Sequence, residues 1–313
     1  MNIYTTLAQL EHSTDRRVVA IGNFDGVHLG HQELLALVVE QARQLNVAAS
    51  ALTFSPHPTA YFRPDGPPFL LCKSAQKYRW MAQNDIDHLI DLTFNEALAK
   101  QSPEHFVQHI LSDGLKAQHV IVGEDFRFGH RRAGDVEMLR QLCDALDMGC
   151  TIFDAVDDGE AVISSTRVRE HVRRAQLPEA AALLGRPLEI TGKVIHGDAR
   201  GRNLGFPTAN VDVGGVLMPP SGIYISTLQH APDGPRRPAC SYIGNRPTYG
   251  DGPITFETFI LDVPKGESLD LYELDVRVEL IDLIRPDKAF ENSAALIEQM
   301  HKDIACANDY FGR

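Results

Sequence analysis

Val18-Val19-Ala20-Ile21-Gly22-Asn23-Phe24-Asp25-Gly26-Val27-His28-Leu29-Gly30-His31 is the stretch that decides the fold of the first half. The apolar run Val18 to Ile21 reads as a buried strand, and Glu33 to Leu45 carries Leu34, Leu35, Val38, Val39 and Ala42 at helical spacing. The turn between them is rich in glycine, which lets the backbone come close to a ligand. A helix that starts there presents unpaired N–H groups and the positive end of its dipole, a setting suited to phosphate. His28 and His31 are three residues apart and project to one side once the helix has begun. Two imidazoles so placed can donate hydrogen bonds to a phosphate whose charge grows during attack. Two plainer readings stay open: histidines on a helix surface, or a metal pair. The metal pair lacks the H-E-x-x-H pattern and a third ligand nearby.

Outward from this stretch the same grammar repeats. Ala48 to Phe54, Leu89 to Leu92, Val120 to Gly123 and Thr151 to Phe153 read as strands. Pro103 to Leu111 reads as a helix, and Asp135 is placed to cap another that runs to Leu146. Strands alternating with helices predict parallel βαβ units and an open α/β sheet. Ligands of such sheets bind outside the carboxyl ends of the strands, so the loops after Ile21, Phe54 and Val122 are the places to look. In the second of these, Ser55-Pro56-His57-Pro58 is stiffened by two prolines and can shape a slot for an aromatic ligand. The third, Gly123-Glu124-Asp125-Phe126-Arg127-Phe128-Gly129, alternates polar and aromatic residues. It is either a strand end with exposed charges or, through Gly123, Asp125 and Arg127, a holder of an aromatic ring and a phosphate, which the resemblance named below makes adenosine and flavin phosphate. Ile163-Ser164-Ser165-Thr166-Arg167-Val168-Arg169 gathers three hydroxyls and two guanidiniums at a predicted helix start. Ser164 or Ser165 can serve as a plain N-cap. The functional alternative is a clamp on the β- and γ-phosphates by Ser164, Ser165, Thr166 and Arg169, the last suited to bidentate contact.

The grammar changes near Gly185. Residues 187–253 hold 9 of the 18 prolines and 11 of the 24 glycines, a density that helix interiors do not tolerate. Strands are expected at Leu188 to Ile195, Gly222 to Leu228, Thr255 to Leu261 and Leu274 to Leu283, forming a closed antiparallel β-barrel. A terminal helix follows, with Phe290, Ala294, Ile297, Met300 and Ile304 as its apolar stripe and Asp287 in its first turn. The expected division is therefore 1–184 and 185–313.

The second half has its own dense signal. Gly192-Lys193, Gly197, Arg200-Gly201 and Gly205 form a flexible cationic loop that leads into Pro207-Thr208-Ala209-Asn210. On an extended strand Thr208 and Asn210 point to the same face. A hydroxyl and an amide oxygen side by side are hard ligands suited to Mg²⁺, with waters and phosphates filling its other positions. The glycine loop can cover those phosphates with backbone N–H groups. Glu257, in Thr255-Phe256-Glu257-Thr258-Phe259, is the candidate base for an acceptor hydroxyl, because a carboxylate in an apolar strand is costly without a task or a partner. A solvent-facing strand position is the alternative.

Composition excludes several classes. The chain has 313 residues, 43% hydrophobic and 23% charged, as expected of two globular domains. Its net charge of −12 argues against broad binding to nucleic-acid backbones. No apolar stretch has the length of a membrane span. The N-terminus has no basic region followed by an apolar run, so no secretory signal is read there. The five cysteines are scattered without a C-x-x-C pair, indicating neither a disulfide framework nor a thiolate zinc site. A reducing cytoplasm is the expected compartment, and self-association into a homo-oligomer is compatible with the sequence.

Taken together, Gly22 to His31, Phe54 to Pro58, Gly123 to Gly129 and Ile163 to Arg169 resemble the FAD synthetase half of the bacterial bifunctional riboflavin kinase/FAD synthetases. The turn at His28 to His31 resembles the H-x-G-H motif of nucleotidylyltransferases. The second half resembles the riboflavin kinase module through the glycine loop, Pro207 to Asn210, Ile243 to Thr248, Glu257-Thr258 and Leu283-Ile284-Arg285. The resemblance implies FMN formation in the second half and FAD formation in the first, with riboflavin, FMN and ATP as small-molecule substrates and Mg²⁺ at both sites. It makes Thr208 and Asn210 the Mg²⁺ and phosphate residues, makes Glu257 the base and places Arg285 near the flavin. The sequence departs from the family at Glu273, where glycine is common, at Ser55, where glutamate is frequent, and at Val168, where isoleucine is usual.

Overall fold

The computed structural model describes residues 1–197, 206–245, 254–263 and 269–313. The chain forms two compact units, one of residues 1–67 with 74–164 and the other of residues 68–73 with 165–313.

The first unit is built on strands Asn2–Tyr4 (β1), Arg17–Ile21 (β2), Ala48–Ser55 (β3), His88–Thr93 (β4), Ala117–Gly123 (β5) and Gly149–Phe153 (β6). They form one sheet in the order β1-β4-β3-β2-β5-β6, and every neighbouring pair is parallel. Helices Leu29–Leu45 (α1), Pro58–Phe62 (α2), Ser74–Gln83 (α3), Glu96–Ala99 (α4), Pro103–His105 (α5) and Val136–Asp144 (α6) complete it. The helix expected from Pro103 begins there but continues through Phe106–Gly114 as a π-helix, which periodicity at 3.6 residues does not anticipate. Asp135 caps α6, its carboxylate accepting from the Met138 N–H at 3.0 Å. Val19, Ile21, Leu52, Ile90, Val120 and Val122 come together on one face of the sheet, packed on Phe106, Val107, Ile110 and Leu111. Each such side chain removed from water contributes about 1.5–3 kcal/mol, so this layer fixes the strand ends from which the loops spring. Strand order reverses between β2 and β5, and the turn after β2 therefore sits at the switch point where open α/β sheets bind ligands.

The second unit contains helices Ser165–Arg173 (α7) and Leu177–Leu184 (α8) and strands Leu188–Ile195 (β7), Ala209–Asp212 (β8), Gly222–Gln229 (β9), Arg237–Asn245 (β10), Ile254–Ile260 (β11) and Asp275–Pro286 (β12). The strands close an antiparallel barrel in the order β10-β11-β8-β7-β12-β9. Its interior includes a hydroxyl chain, with Ser241 Oγ 2.8 Å from Ser226 Oγ and 2.9 Å from Thr258 Oγ1.

The terminal helix is Ser293–Tyr310 (α9), capped by Asn292, whose amide oxygen accepts from the Ala295 N–H at 2.9 Å. Asp287 therefore precedes the helix and accepts instead from the Tyr242 hydroxyl at 3.0 Å. Asp303 and Ala307 are the fully buried positions of α9, whereas Ala294 of the expected stripe is exposed. No helix of the described residues is long and apolar enough to cross a membrane. All five cysteines are free thiols.

Candidate active sites

The turn after β2 is tightly wound. Phe24, Gly26 and Val27 all take positive φ, at 50°, 80° and 40°. Only glycine adopts this region without cost, so Phe24 and Val27 are held there by their surroundings. Both are fully buried, at 1% and 0% exposure. The turn hands over to α1 at His28, which is the N-cap residue, and its Nδ1 accepts from the His31 N–H at 3.3 Å. The two imidazoles stack with centroids 3.6 Å apart at 19°, and Phe24 meets His31 edge-on at 5.2 Å. Gly30 packs closely: a Cβ there would lie 3.3 Å from both His28 Nδ1 and the Ile163 carbonyl, tighter than ordinary contact. A Cβ on Gly22 would press on the Phe24 ring at 3.1 Å. Asp25 is buried beside them.

The floor of this site was not read from the sequence. Lys77 of α3 is 8% exposed, and its ammonium donates to the Asn23 carbonyl and to Thr53 Oγ1, both at 3.1 Å. Thr53 Oγ1 also donates to the Asn23 carbonyl at 3.2 Å. Next to it on β4, Asp91 Oδ2 accepts from Ser55 Oγ at 2.7 Å and from the Tyr78 hydroxyl at 2.6 Å. Burial first, then the bond to Asp91, pushes the Tyr78 phenol up to about 12.

The loop after β3 opens with a cis Ser55–Pro56 bond, and His57 then caps α2, its Nδ1 accepting from the Thr59 N–H at 3.0 Å, with Pro58 in the first turn. After β5, Gly123 and Asp125 lie close, since a Cβ on the glycine would sit 3.3 Å from the Asp125 carboxylate. Arg127 is half-exposed and pairs with Asp135 at 3.1 Å, while Phe126 and Phe128 stack at 5.4 Å. Ser164 falls in the first unit, and Ser165, Thr166 and Arg169 in the second, on α7. Arg169 Nε donates to the Phe69 carbonyl at 2.8 Å and its guanidinium lies over the Phe69 ring.

In the barrel, Tyr242, Glu257 and Asn210 lie side by side on β10, β11 and β8. Thr208 Oγ1, just before β8, donates to Glu257 Oε2 at 2.8 Å. Glu257 does not face the barrel interior, which takes Phe256, Thr258 and Ile260 from the same strand. It is half-buried on the opposite face, with Thr208 as its partner. Burial first, then the Asp287 charge and bond, with Glu257 adding its own charge, pushes the Tyr242 phenol up to about 12. Gly197 has a steric duty: a Cβ there would collide with the Asn210 amide. Gly192 likewise lets the Asp212 carbonyl approach. Lys193 pairs with Glu273 at 3.6 Å on the surface. Arg285 is gripped by Asp303 of α9, through Nε at 2.9 Å and Nη2 at 2.8 Å, and lies over Phe290. Pro207 is described and exposed; Arg200, Gly201 and Gly205 lie outside the described residues. Among the described residues no group of three or more His, Cys, Asp or Glu side chains is arranged for a metal ion.

Residues 10–167 match the FAD synthetase family and residues 184–311 the riboflavin kinase family. Two transferase modules thus share one chain. Relatives described as bifunctional riboflavin kinase/FMN adenylyltransferase match nearly the whole of it. That of Pseudomonas fluorescens is 37% identical, covering 93% of this chain and 91% of its own. Those of Escherichia coli K12 and Bacillus subtilis are 34% and 32% identical, covering 94% and 95% of this chain and 93% of each relative. A crystal structure described as a macrolide-efflux protein from Streptococcus pneumoniae superposes with a TM-score of 0.86 at 28% identity, covering 98% of this chain and 99% of that one. The chain belongs to the bifunctional riboflavin kinase/FMN adenylyltransferase family: its N-terminal module is the adenylyltransferase and its C-terminal module the kinase.

Proposed function

We propose that the barrel module transfers the γ-phosphoryl group of ATP to the terminal ribityl hydroxyl of riboflavin, giving FMN and ADP. The α/β module then joins the FMN phosphate to the α-phosphorus of ATP, giving FAD and pyrophosphate. The functional division falls near residue 184. The FAD synthetase match runs to residue 167, although α7 packs with the barrel unit.

In the kinase module Glu257 takes the proton of the attacking hydroxyl. Thr208 and Asn210 would hold Mg²⁺, which supplies charge to offset the ATP phosphates. The donor set fits: a hydroxyl whose proton is committed to Glu257 keeps its lone pairs for a cation, and the Asn210 amide is a second hard ligand on the same side. Gly192, Lys193, Gly197, Arg200, Gly201, Gly205 and Pro207 are the phosphate-covering segment, and Arg285 the flavin-side residue.

In the adenylyltransferase module His28 and His31 stabilise charge on the α-phosphate. Gly22, Asn23, Phe24, Asp25, Gly26 and Gly30 shape the phosphate turn. Pro56, His57 and Pro58, with Gly123, Asp125 and Arg127, hold adenosine and FMN. Ser164, Ser165, Thr166 and Arg169 take the outer phosphates of ATP. Positioning and charge stabilisation carry both reactions, with no covalent enzyme intermediate.

The observation that carries this reading is the Glu257–Thr208–Asn210 cluster in a chain that also presents a stacked His28–His31 pair at a helix start. The test is a time course with riboflavin and Mg-ATP, resolving FMN and FAD by chromatography. His28→Ala with His31→Ala removes FAD formation and leaves FMN formation; Asn210→Ala does the reverse when FMN is supplied for the second step. Loss of both activities in either folded variant refutes two independent sites.

A further inference from the structure

Lys77 belongs to no motif that points to a nucleotide, yet it is a lysine with 8% exposure directly beneath the phosphate turn. Its two bonds go to neutral oxygens, the Asn23 carbonyl and Thr53 Oγ1. No described carboxylate forms an ion pair with it. Asp91, the register partner of Thr53, has one oxygen committed to Ser55 and Tyr78; its other oxygen is buried without a hydrogen-bond partner among the described residues, yet forms no ion pair with Lys77. A buried cation without an anion is costly, and such a cost is retained where a ligand brings the anion.

Geometry says how Lys77 would act. The Asn23 carbonyl is fastened toward the sheet by two donors, Lys77 Nζ at 3.1 Å and Thr53 Oγ1 at 3.2 Å. In a trans peptide the N–H of the next residue points the opposite way. The Phe24 N–H is therefore aimed away from the sheet, and it donates to no described backbone or side-chain acceptor. Phe24 itself is held at φ 50°, in the left-handed region that a phenylalanine avoids. A peptide fixed this way is a preset anion donor, and the fastening cation adds positive potential behind it.

We propose that Lys77, acting with Thr53 through the Asn23 carbonyl, is a positioning residue for adenylyl transfer. The clamp keeps the Asn23–Phe24 peptide oriented while an FMN phosphate oxygen bonds to the α-phosphorus. The bond from that phosphorus to the bridging oxygen breaks, and its electron pair leaves on pyrophosphate. The inference rests on the adenylyltransferase reading of this module.

The test uses the full chain and three variants, Lys77→Met, Thr53→Val and the double variant, with FMN and Mg-ATP as substrates. Removal of one preset donor to a developing oxyanion lowers kcat by about 10²–10³-fold, so Lys77→Met is expected to lose about 10²-fold in kcat for FAD while KM for FMN stays near its original value. Thr53→Val should lose less, and the double variant no more than Lys77→Met alone, because both act through one carbonyl. Riboflavin phosphorylation by the same preparations reports that the chain is folded and should not change. If Lys77→Met does not fold, Thr53→Val carries the test, through its kcat at unchanged KM. Normal FAD turnover in the folded variants overturns the proposal. So does recovery of turnover in Lys77→Met with Asp91→Asn, since that would make Lys77 a counter-charge for Asp91 alone. Failure of the unmodified protein to make any FAD from FMN sinks the underlying reading instead, a result separable from the variant ratios.

Discussion

Replacing Glu273 by glycine should stabilise the barrel unit. Glu273 is the third residue of a turn closed by the Leu274 N–H donating to the Leu271 carbonyl at 3.1 Å, and its φ is 63°. Turns with positive φ at that position favour glycine, because a Cβ crowds the backbone there. The left-handed conformation costs an L-residue about 1–2 kcal/mol. Against this, glycine gains about 0.4–1 kcal/mol of extra freedom in the unfolded chain. The change also gives up the Lys193–Glu273 pair at 3.6 Å. With its side chains 50% and 68% exposed, that pair belongs at the low end of the roughly 0–1 kcal/mol typical of surface pairs. The net for Glu273→Gly is a gain of about 0.5 kcal/mol.

Glu273→Ala is the decisive control, because it loses the same ion pair but keeps the strain. Glycine should exceed alanine by about 1 kcal/mol, or about 2–4 °C in the melting temperature of a unit this size. The assay is a thermal scan of the full chain, comparing the barrel transition in the two variants. The turn abuts the kinase site, since Tyr272 stacks on His196 at 4.0 Å, one residue before the Gly197 that seats Asn210. Kinase turnover should nonetheless survive the glycine, the residue common at this position in the family. A glycine variant that melts at or below the alanine variant refutes the strain argument.

Glu257→Gln keeps an oxygen for the Thr208 hydroxyl but cannot take a proton, so FMN formation should fall by about 10²–10⁴-fold while FAD formation from supplied FMN is unchanged; a near-normal kinase rate removes Glu257 from the role of base. A second expectation concerns pH and the α/β unit. Burial, then the charge of Arg17, holds the His88 imidazole below its ordinary 6.5, and burial does the same to His119. The unfolded chain takes up these protons before the folded one does, so stability is full above that value and falls as the solution is acidified below it. The slope is at most about 1.4 kcal/mol per pH unit for each proton. Urea unfolding followed through Trp80, the single tryptophan, buried in α3, measures it. Stability that does not change between about pH 7 and about pH 5 would contradict the linkage.

The parts of this fold that were legible share a cause. Val18 to Ile21, Ala48 to Phe54 and Val120 to Gly123 are runs whose pattern is their structure, because parallel strands buried on both faces need continuous apolar residues. Their order gave the loops after Ile21, Phe54 and Val122, and those loops do leave the carboxyl ends of β2, β3 and β5. What escaped was relational. β10 contains Pro238 and Gly244 and is not among the expected strands, yet barrel closure against β9 and β11 makes it a strand. For Glu257 the sequence left two faces open, and one residue of register sets it opposite the core face. Arg285 is joined to Asp303, eighteen residues on, and Lys77 to Asn23 and Thr53 from a different helix. Such contacts have no local period and no spacing rule.

The difference between the two sites follows from the acceptors they would serve. A ribityl hydroxyl is protonated at neutral pH, so a site that phosphorylates it needs a group to receive the proton; on the proposed reading that group is Glu257, one of whose oxygens Thr208 holds. The phosphate of FMN has a second ionisation near about pH 6 and is already a nucleophilic dianion. A site that adenylylates it needs no base; its problem is bringing two anions together. The first unit answers with donors and positive ends: the start of α1, the stacked His28 and His31, and the Lys77 ammonium under the turn. Of its buried carboxylates Asp25 and Asp91, the second has one oxygen tied to Ser55 and Tyr78 and the other buried without a hydrogen-bond partner among the described residues. Removing the Glu257 carboxylate should therefore disable the kinase, and removing the Lys77 charge the adenylyltransferase. A folded Asp91→Asn variant that kept kinase turnover but lost FAD formation from supplied FMN would break that division.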